Sequence, residues 1–313
     1  MGHKKIISIV LPIFNEEANI SYIYQELVTT LSAVQERYSY EIIMVDDGSS
    51  DKSWSTIKQI SEVDKNVVGV HFSRNFGKEI ALSAGIDACV GDCVITMDSD
   101  WQHPIEKIHD FLSHWEQGYE IVYNIRAWFQ EAWWVKKISS SLFYKIFNSV
   151  SEFKLEPGAT DYRLLDKIVI DTYKKCGEKN RMYRWLIDWL GFKRKSLIFP
   201  SPKRINGKST YNYRKLLKLA VNNITSFSFF PLKFVWFLGF VTTFCAGILF
   251  ILQIWDRLWI LEIGFSSLGI VVVINTMMMG TVMMSIGLIG LYVANINEEV
   301  MRRPLYIVRE KIN

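Results

Sequence analysis

The chain has 313 residues, which is long enough for one large domain or two smaller ones. Its formal net charge of +4, without a Lys/Arg block or zinc-finger spacing, gives no reason to expect a nucleic acid as a partner. Four cysteines without a CxxC pair argue against a disulfide framework.

Up to about residue 200, short β-branched runs alternate with segments of helical spacing. The predicted strands are Ile6–Ile13, Glu41–Val45, Val67–Phe72 and Cys93–Met97. The predicted helices are Glu17–Gln35, Ser53–Val63 and Lys78–Ala88. This alternation is typical of an α/β domain with a mostly parallel sheet, in which ligands bind beyond the carboxyl ends of the strands.

Two acids, Asp98 and Asp100 in MDSDWQHP, follow the fourth predicted strand. Acids in this place often cap the next helix, and Pro104 with Glu106 resembles a helix start. They also suit Mg²⁺ or Mn²⁺, which binds one or two carboxylates and completes its shell with substrate phosphates. Such an ion would relieve the repulsion between the acids and neutralise charge on a departing diphosphate.

Three further stretches carry residues suited to contacts with a base or with phosphate. VDDGSSD (45–51) places acids on a turn, where one could accept a hydrogen bond from a base; the alternative is a solvated turn. SRNFGKEIAL (73–82) puts Arg74 and Lys78 at a helix start, where phosphate binds; the alternative is an ordinary basic first turn. RINGKSTY (204–211) combines Arg, Gly and Ser; the alternative is a juxtamembrane basic patch.

The C-terminal third predicts attachment to a membrane. Tyr211–Asn223 has an amphipathic helical pattern with basic residues. Phe234–Trp255 and Ile263–Asn297 carry no charge, and each exceeds the roughly 20 residues that cross a hydrocarbon core. Basic residues flank the pair, so the positive-inside rule places both ends in the cytoplasm. The alternative is two buried core helices. Glycines 280, 287 and 290 would permit close helix contacts and a homo-oligomer.

These features predict four parts of the chain. They are a cytoplasmic catalytic domain in 1–210, an amphipathic juxtamembrane segment in 211–230, two transmembrane helices in 231–297 (about 231–255 and 266–295), and a cytoplasmic tail in 298–313.

Taken in order, the motifs resemble those of the GT-A glycosyltransferases of family two. Within that family they look like the polyprenyl-phosphate hexosyltransferases, the group of bactoprenol glucosyltransferase and dolichyl-phosphate mannose synthase. The resemblance covers nearly the whole chain, through LPIFNEE, VDDGSSD, SRNFGKE, MDSDWQHP, GATDYRLLD, RINGKSTY and GLYVANINEEVMRRPLYIV. It implies a GT-A, Rossmann-like α/β domain, a nucleotide-sugar donor, a polyprenyl phosphate acceptor, Mg²⁺ or Mn²⁺ as cofactor, and a multi-pass protein of the bacterial inner membrane.

The resemblance also implies roles for individual residues. Those expected at the donor nucleotide are Pro12, Asn15, Asp47, Lys78, Asp98, Arg204 and Ser209, with Asp47 reading the base. The metal ligands would be Asp98, Asp100 and Gln102. The catalytic candidates are Asp161, Asp100 and Arg163, and Arg126 and Arg163 would hold the acceptor phosphate. The family usually has Asp where His103 stands, a difference that leaves the metal-site acids in place. It commonly has an arginine where Phe129 stands, and the loss of that arginine makes the acceptor-phosphate contacts less complete.

The expected reaction is inverting transfer of a hexose from a nucleotide sugar, with UDP-glucose favoured, to undecaprenyl phosphate. Its product would serve modification of a cell-envelope glycan such as lipopolysaccharide. A phosphate is largely anionic at pH 7, so we expect Asp161 to orient groups or tune charge, although the resemblance also permits a base.

Several alternatives stay open. UDP-GlcNAc, UDP-galactose and GDP-mannose are alternative donors, because nothing in the sequence fixes the shape of the sugar pocket. A non-catalytic membrane scaffold is the alternative of another class. A processive polysaccharide synthase is disfavoured, because Arg181 stands where the QxxRW motif of that class needs glutamine.

Overall fold

The computed structural model describes residues 4–99, 104–126, 156, 158–178, 182–199, 267–301 and 303–313, with single helical positions between 235 and 255. The chain divides into two compact units. The first unit comprises Met1–Ser209 together with Arg303–Asn313, and the second comprises Thr210–Arg302.

The first unit is built on one eight-stranded sheet within the described residues. Its strands are β1 (Lys5–Ile13), β2 (Tyr38–Asp46), β3 (Val67–Phe72), β4 (Cys93–Thr96), β5 (Ile121–Arg126), β6 (Ala159–Asp166), β7 (Arg194–Phe199) and β8 (Val308–Ile312). The order across the sheet is β7-β5-β6-β4-β1-β2-β3-β8. Only β6 and β8 run against the other strands, so the predicted mostly parallel sheet is confirmed.

Helices cover both faces of this sheet. They are α1 (Glu17–Ser32), α2 (Ser53–Val63), α3 (Lys78–Ala88), a 3₁₀ turn (Ile105–Lys107), α4 (Ile108–Glu116), α5 (Lys167–Lys175) and α6 (Tyr183–Trp189). One core lies between the sheet and α1, α2 and α4, and the other between the sheet and α3, α5 and α6. Because both faces of the central strands are buried, β1 is apolar along nearly its whole length, as in other parallel sheets.

The predicted α/β alternation agrees with these elements. α2, β3 and α3 have the predicted bounds, whereas β2 begins earlier, at Tyr38, and α1 ends earlier, at Ser32. The differences fall at element ends, where the pattern of apolar residues is weakest.

The second unit contains the long helix α7 (Ser267–Val300). Its stretch Met277–Ala294 is, among the described residues, the one helical stretch long and apolar enough to cross a membrane. The predicted segment 211–230 lies outside the described residues, and so does most of the predicted first span, about 231–255. The arrangement of two transmembrane helices therefore stays a prediction.

The strand β8 was not predicted, because the sequence pattern indicated only a tail in 298–313. Arg309, Glu310 and Lys311 leave this strand without an apolar run. It is held instead by antiparallel backbone pairing with β3, from Gly69↔Ile312 to Phe72↔Val308. Charged residues of this kind are common on edge strands, where they discourage further pairing.

Gly85 marks the tightest contact between α3 and β1. A Cβ atom at this position would lie 2.2 Å from Cγ1 of Val10, a buried β-branched side chain that cannot move aside. We expect Gly85→Ala to lower the free energy of unfolding by about 1–3 kcal/mol. The fall should appear as a lower Tm of the detergent-purified protein. Gly177→Ala is the matched control, because a Cβ there meets no atom within 4 Å; equal Tm values for the two variants would contradict this reading of the α3–β1 contact.

Candidate active site

The candidate site lies at the end of the sheet where the carboxyl ends of the parallel strands meet. Asp46 ends β2, and Asp98 follows β4 by two residues. The antiparallel strand β6 begins at the same edge, since its Arg163 pairs with Thr96 of β4. Asp161, two residues before Arg163, therefore lies beside the loop that carries Asp98.

Lys78 joins the two acids. Its Nζ atom lies 2.6 Å from Asp98 Oδ1 and 2.6 Å from Asp161 Oδ2. Lys78 begins α3 directly after Gly77, whose φ of +105° is a conformation that side chains rarely adopt. A cation at a helix N-terminus is mildly unfavourable for the helix dipole. The placement of Lys78 is therefore explained by the two carboxylates and not by the stability of α3.

A second cation, Arg184 of α6, holds the other side of Asp161. Arg184 Nη2 and Nε donate to Asp161 Oδ1 at 2.9 and 3.1 Å. Asp161 is buried, whereas Lys78 and Arg184 are each partly exposed. A carboxylate with little access to water thus has cations from two helices as its partners.

The charges of this cluster follow from those contacts. Burial alone would raise the pKa of Asp161, but Arg184 and Lys78 hold it well below its usual range. Burial likewise opposes the charged form of Lys78, yet Asp161 and Asp98 raise its pKa. Asp161 is therefore a firmly ionised carboxylate and a weak proton acceptor at neutral pH, in line with an orienting role.

Glu79 adds a group that the sequence analysis did not consider. Its Oε2 accepts a hydrogen bond from the backbone N–H of Tyr183 at 2.8 Å. Burial, and then the charge of Asp161, raise the pKa of Glu79 to about 7. Its protonation therefore changes close to neutral pH, beside a carboxylate that stays charged.

The acids of VDDGSSD build the turn that follows β2. Asp47 is buried, and its Oδ1 and Oδ2 accept from the backbone N–H groups of Phe76 (2.6 Å) and Gly77 (2.9 Å). Asp46 accepts from the Ser49 hydroxyl, and its Oδ2 lies 2.5 Å from His71 Nδ1. The predicted reading of a base by Asp47 is thus not the contact that this geometry favours, because both of its oxygens anchor the loop before Lys78.

The remaining predicted donor residues in the described chain lie at the same edge. The Asn15 backbone N–H donates to Ser49 Oγ at 2.9 Å, and Asn15 Oδ1 accepts from the Ser50 N–H at 2.8 Å. The Pro12 carbonyl accepts from Ser99 Oγ at 3.2 Å, which ties β1 to the loop that carries Asp98. The structure therefore brings together five of the predicted donor residues, Pro12, Asn15, Asp47, Lys78 and Asp98.

Arg163 lies in a different setting from the predicted one. It is fully buried, its Nη1 lies 2.7 Å from Asp188 Oδ1, and its Nε donates to the Thr160 carbonyl at 3.0 Å. Its guanidinium also lies over the ring of Tyr123. This geometry favours a positioning role in place of direct contact with an acceptor phosphate, because the cation already has a buried partner.

Asp100, Gln102, Arg204 and Ser209 lie outside the described residues, as does the side chain of Arg126, which ends β5.

The residues present fit a hard divalent cation in part. Asp98 supplies a largely buried carboxylate at the expected edge, and carboxylate oxygen is a preferred ligand of Mg²⁺ and Mn²⁺. Within the described ranges there is no group of three or more His, Cys, Asp or Glu side chains that could hold a metal. Two of the three predicted ligands, Asp100 and Gln102, lie outside those ranges. The metal site stays a prediction that Asp98 fits.

Comparisons with known proteins agree with this site and fold. A model described as Glycosyl transferase family 2 matches residues 8–174. The chain belongs to this family, and its fold is accordingly GT-A-like, an α/β domain with a mixed, mostly parallel sheet.

Relatives match over almost the full length. An uncharacterised glycosyltransferase of Synechocystis sp. (strain PCC 6803) is 36% identical over 306 residues, 97% of this chain and 95% of the relative. A prophage bactoprenol glucosyl transferase homologue of Escherichia coli (strain K12) is 34% identical over 307 residues, with 97% and 98% covered. The bactoprenol glucosyl transferase of Shigella phage SfII is 35% identical over 308 residues, with 97% of each covered.

Sequence reasoning missed two members of the cluster, Arg184 and Glu79. Arg184 lies in RMYRW (181–185), the segment in which Arg181 replaces the glutamine of the QxxRW motif. Its near match to that motif was the available signal, but the role at Asp161 needs the distance. Glu79 gives no signal, because an acid in a first helical turn is common.

We expect Arg184→Gln to lower kcat about 10–100-fold, because Asp161 loses its orienting partner. Removing that cation also raises the pKa of Asp161, so the acid limb of the kcat–pH profile should move to higher pH. Lys193→Gln, at an exposed basic residue, is the control. A variant with wild-type kcat and an unshifted profile would show that Arg184 only stabilises the fold.

The raised pKa of Glu79 predicts that the stability of the folded protein depends on pH. Its pKa in the folded state, about 7, lies above the ordinary value of 4.5, so its contribution to stability is complete below pH 4.5 and is lost as pH rises through 7. Glu79→Gln cannot ionise. Its free energy of unfolding should therefore rise relative to that of the wild type as pH increases from 4.5 to 7, by up to about 3 kcal/mol in total. The measurement is Tm of both proteins at pH 5 and pH 8, with Glu36→Gln, an exposed acid, as control. A Glu79→Gln advantage that is equal at both pH values would refute the assignment.

Proposed function

We propose that this glycosyltransferase moves a hexose from a nucleotide sugar to a membrane polyprenyl phosphate, with UDP-glucose as donor and undecaprenyl phosphate as acceptor. The observation that carries the proposal is the end-to-end similarity to proteins named bactoprenol glucosyl transferase. Bactoprenol is a membrane lipid, and the apolar stretch Met277–Ala294 supports work at a membrane surface. The product would be a lipid-linked sugar for modification of a cell-envelope glycan.

The donor would bind at the sheet edge described above. Asn15 and the VDDGSSD turn border the space for the nucleotide, and Lys78 presents an ammonium where a diphosphate would lie. Arg204 and Ser209 are proposed to add contacts to that diphosphate. A divalent cation held by Asp98, Asp100 and Gln102 would neutralise charge on the leaving nucleotide.

Asp161 would act on the sugar side of this arrangement. Its ionised carboxylate is fixed by Lys78 and Arg184, so it can orient the reacting groups or stabilise positive charge at the anomeric carbon. The acceptor phosphate brings its own anionic oxygen, which attacks that carbon from the side opposite the nucleotide and inverts its configuration. We propose that Arg126 contacts the acceptor phosphate. Arg163 would position β6 against α6 through its ion pair with Asp188. Positioning and charge, and not a covalent intermediate, would then supply most of the rate.

The membrane arrangement forms part of the proposal. We propose that the catalytic unit and both chain ends face the cytoplasm of a bacterial inner membrane, with α7 as one of two transmembrane helices. This orientation gives the donor site access to cytoplasmic nucleotide sugars while the acceptor stays in the bilayer.

The test is sugar transfer by the detergent-purified protein to undecaprenyl phosphate. The donors are UDP-glucose, UDP-galactose, UDP-GlcNAc and GDP-mannose, each with Mg²⁺, Mn²⁺ or EDTA. We expect a lipid-linked monosaccharide from UDP-glucose and its loss with EDTA. Asp98→Ala and Asp100→Ala should each lower kcat at least about 100-fold, since both are expected to hold the cation. Asp171→Ala, at an exposed acid of α5, is the matched control.

Each outcome decides between the alternatives. Transfer from another donor would keep the reaction and change the sugar. Full activity in Asp98→Ala and Asp100→Ala would remove the metal from the proposal. No transfer from any donor by folded protein that binds nucleotide would favour a different acceptor, and no nucleotide binding at all would favour a scaffold.

A further inference from the structure

The C-terminal segment, residues 303–313, belongs to the same compact unit as Met1–Ser209, although Thr210–Arg302 separate them in sequence. Its strand β8 lies beside β3 at the edge of the sheet. Asn313 adds a contact at the far end, since its Nδ2 donates to the Val67 carbonyl at 2.6 Å. The segment is thus an integral part of the unit that carries the candidate site.

This segment also reaches the loop that leads to Lys78. We call residues 73–77 the donor loop. The backbone N–H of Ser73 donates to the Ile307 carbonyl at 3.0 Å. The ring of Tyr306 stacks on Phe72 with centroids 5.1 Å apart and planes 19° apart, and Phe72 meets Phe76 of the donor loop edge to face at 5.6 Å. The segment therefore contacts the loop directly at its first residue and supports the Phe76 ring indirectly, through Phe72.

The hydroxyl of Tyr306 adds an exposed hydrogen bond to α3. It donates to Asp87 Oδ2 at 3.1 Å, at the opposite end of α3 from Lys78. A single residue of the segment thus touches both the strand that enters the donor loop and the helix that leaves it.

A second set of contacts supports the turn after β2. Glu310 of β8 accepts from Trp54 Nε1 at 3.0 Å and pairs with Lys58 at 2.6 Å. Trp54 stacks on His71, with ring centroids 4.9 Å apart, and His71 contacts Asp46. The segment is therefore connected to the turn that carries Asp46 and Asp47 as well as to the donor loop.

The other end of the donor loop is held from inside the site. Asp47 accepts from the backbone N–H groups of Phe76 and Gly77, and Lys78 follows at once. Close packing adds to this, because a Cβ on Gly48 would lie 2.4 Å from the carbonyl carbon of Arg74. The loop is thus confined between the turn after β2 on one side and the C-terminal segment on the other.

We propose that the C-terminal segment is a positioning element of the donor site, which holds the donor loop in the conformation that binds a nucleoside diphosphate. The proposal rests on the proposed function, since it assumes that Lys78 and the turn after β2 contact the nucleotide donor. A loop held in its binding conformation loses less entropy on binding, so affinity should fall when the support is removed. In the sequence, the C-terminal segment follows the apolar helix α7 after a few residues.

The test compares Tyr306→Ala with Tyr306→Phe, which keeps the stacked ring, and with Arg309→Ala, at an exposed residue of β8. The full-length detergent-purified proteins are titrated with UDP and with GDP by calorimetry. We expect Tyr306→Ala to weaken binding of the preferred diphosphate about three- to tenfold, and both other variants to stay within about twofold of wild type. Hydrogen exchange of the Phe76 and Gly77 amides should accelerate only in Tyr306→Ala.

Kinetics separate positioning from general stability. In transfer to undecaprenyl phosphate, Tyr306→Ala should raise KM for the nucleotide sugar and leave KM for the lipid unchanged. A lower Tm with unchanged Kd, donor KM and amide exchange would overturn the proposal and leave the segment as a cover for the sheet edge. If Tyr306→Ala does not fold, Tyr306→Leu keeps apolar contact with Phe72 and carries the same expectation and the same refutation.

Failure of the proposed function gives a different result. Wild-type protein that binds neither UDP nor GDP would refute the donor site itself, and the inference would fall with it. Wild-type protein that binds a diphosphate but transfers no sugar would refute only the proposed acceptor or reaction, and the Kd comparison among the variants would still decide the role of the segment.

Discussion

A carboxylate taken out of water must find cations, and the site is built around this requirement. The buried Asp161 would be costly to ionise alone, since the loss of hydration of a single charge amounts to several kcal/mol. Lys78 from α3 and Arg184 from α6 supply the compensating charge from opposite sides. The ion pairs therefore do more than neutralise Asp161, because they fix where two helices meet β6.

A second buried pair repeats this arrangement in the opposite direction. Arg163 of β6 reaches Asp188 of α6, whereas Arg184 of α6 reaches Asp161 of β6. Residues 184 and 188 are four apart in one helix, so they lie on neighbouring turns of the same face. The strand β6 and the helix α6 thus each supply one cation and one carboxylate to the two ion pairs. Sliding α6 along β6 would break both pairs at once and would leave the fully buried Arg163 without its carboxylate, so this register is strongly specified.

The sequence was informative where one residue type has one physical use. Apolar β-branched runs predicted β1 to β4, because strands buried on both faces need them. Asp98 and Lys78 were predicted to share one site, because carboxylates after a strand, and a lysine beside glycine at a helix start, suit a metal and a diphosphate. The structure places their charged groups 2.6 Å apart. Arg184 was not assigned to Asp161, since the two lie far apart in the chain and no local pattern states the contact. β8 was missed for the same reason, because its stability comes from backbone pairing and contacts to Trp54 and Phe72 and not from its own composition.

The acids of VDDGSSD show why a motif locates a site more reliably than it assigns roles. The sequence analysis assigned the base contact to one of its acids, Asp47, yet Asp47 accepts from two backbone amides, and Asp51 accepts from the N–H groups of Ser53 and Glu17. A carboxylate accepting such amides organises the chain around it, because each N–H is directed at a fixed oxygen. A nucleotide at the proposed site would then contact the backbone that these acids hold in place more than it contacts their carboxylates. Substitutions at Asp47 should therefore affect donor binding by displacing the donor loop and Lys78, and not by removing a direct contact between the Asp47 carboxylate and the nucleotide.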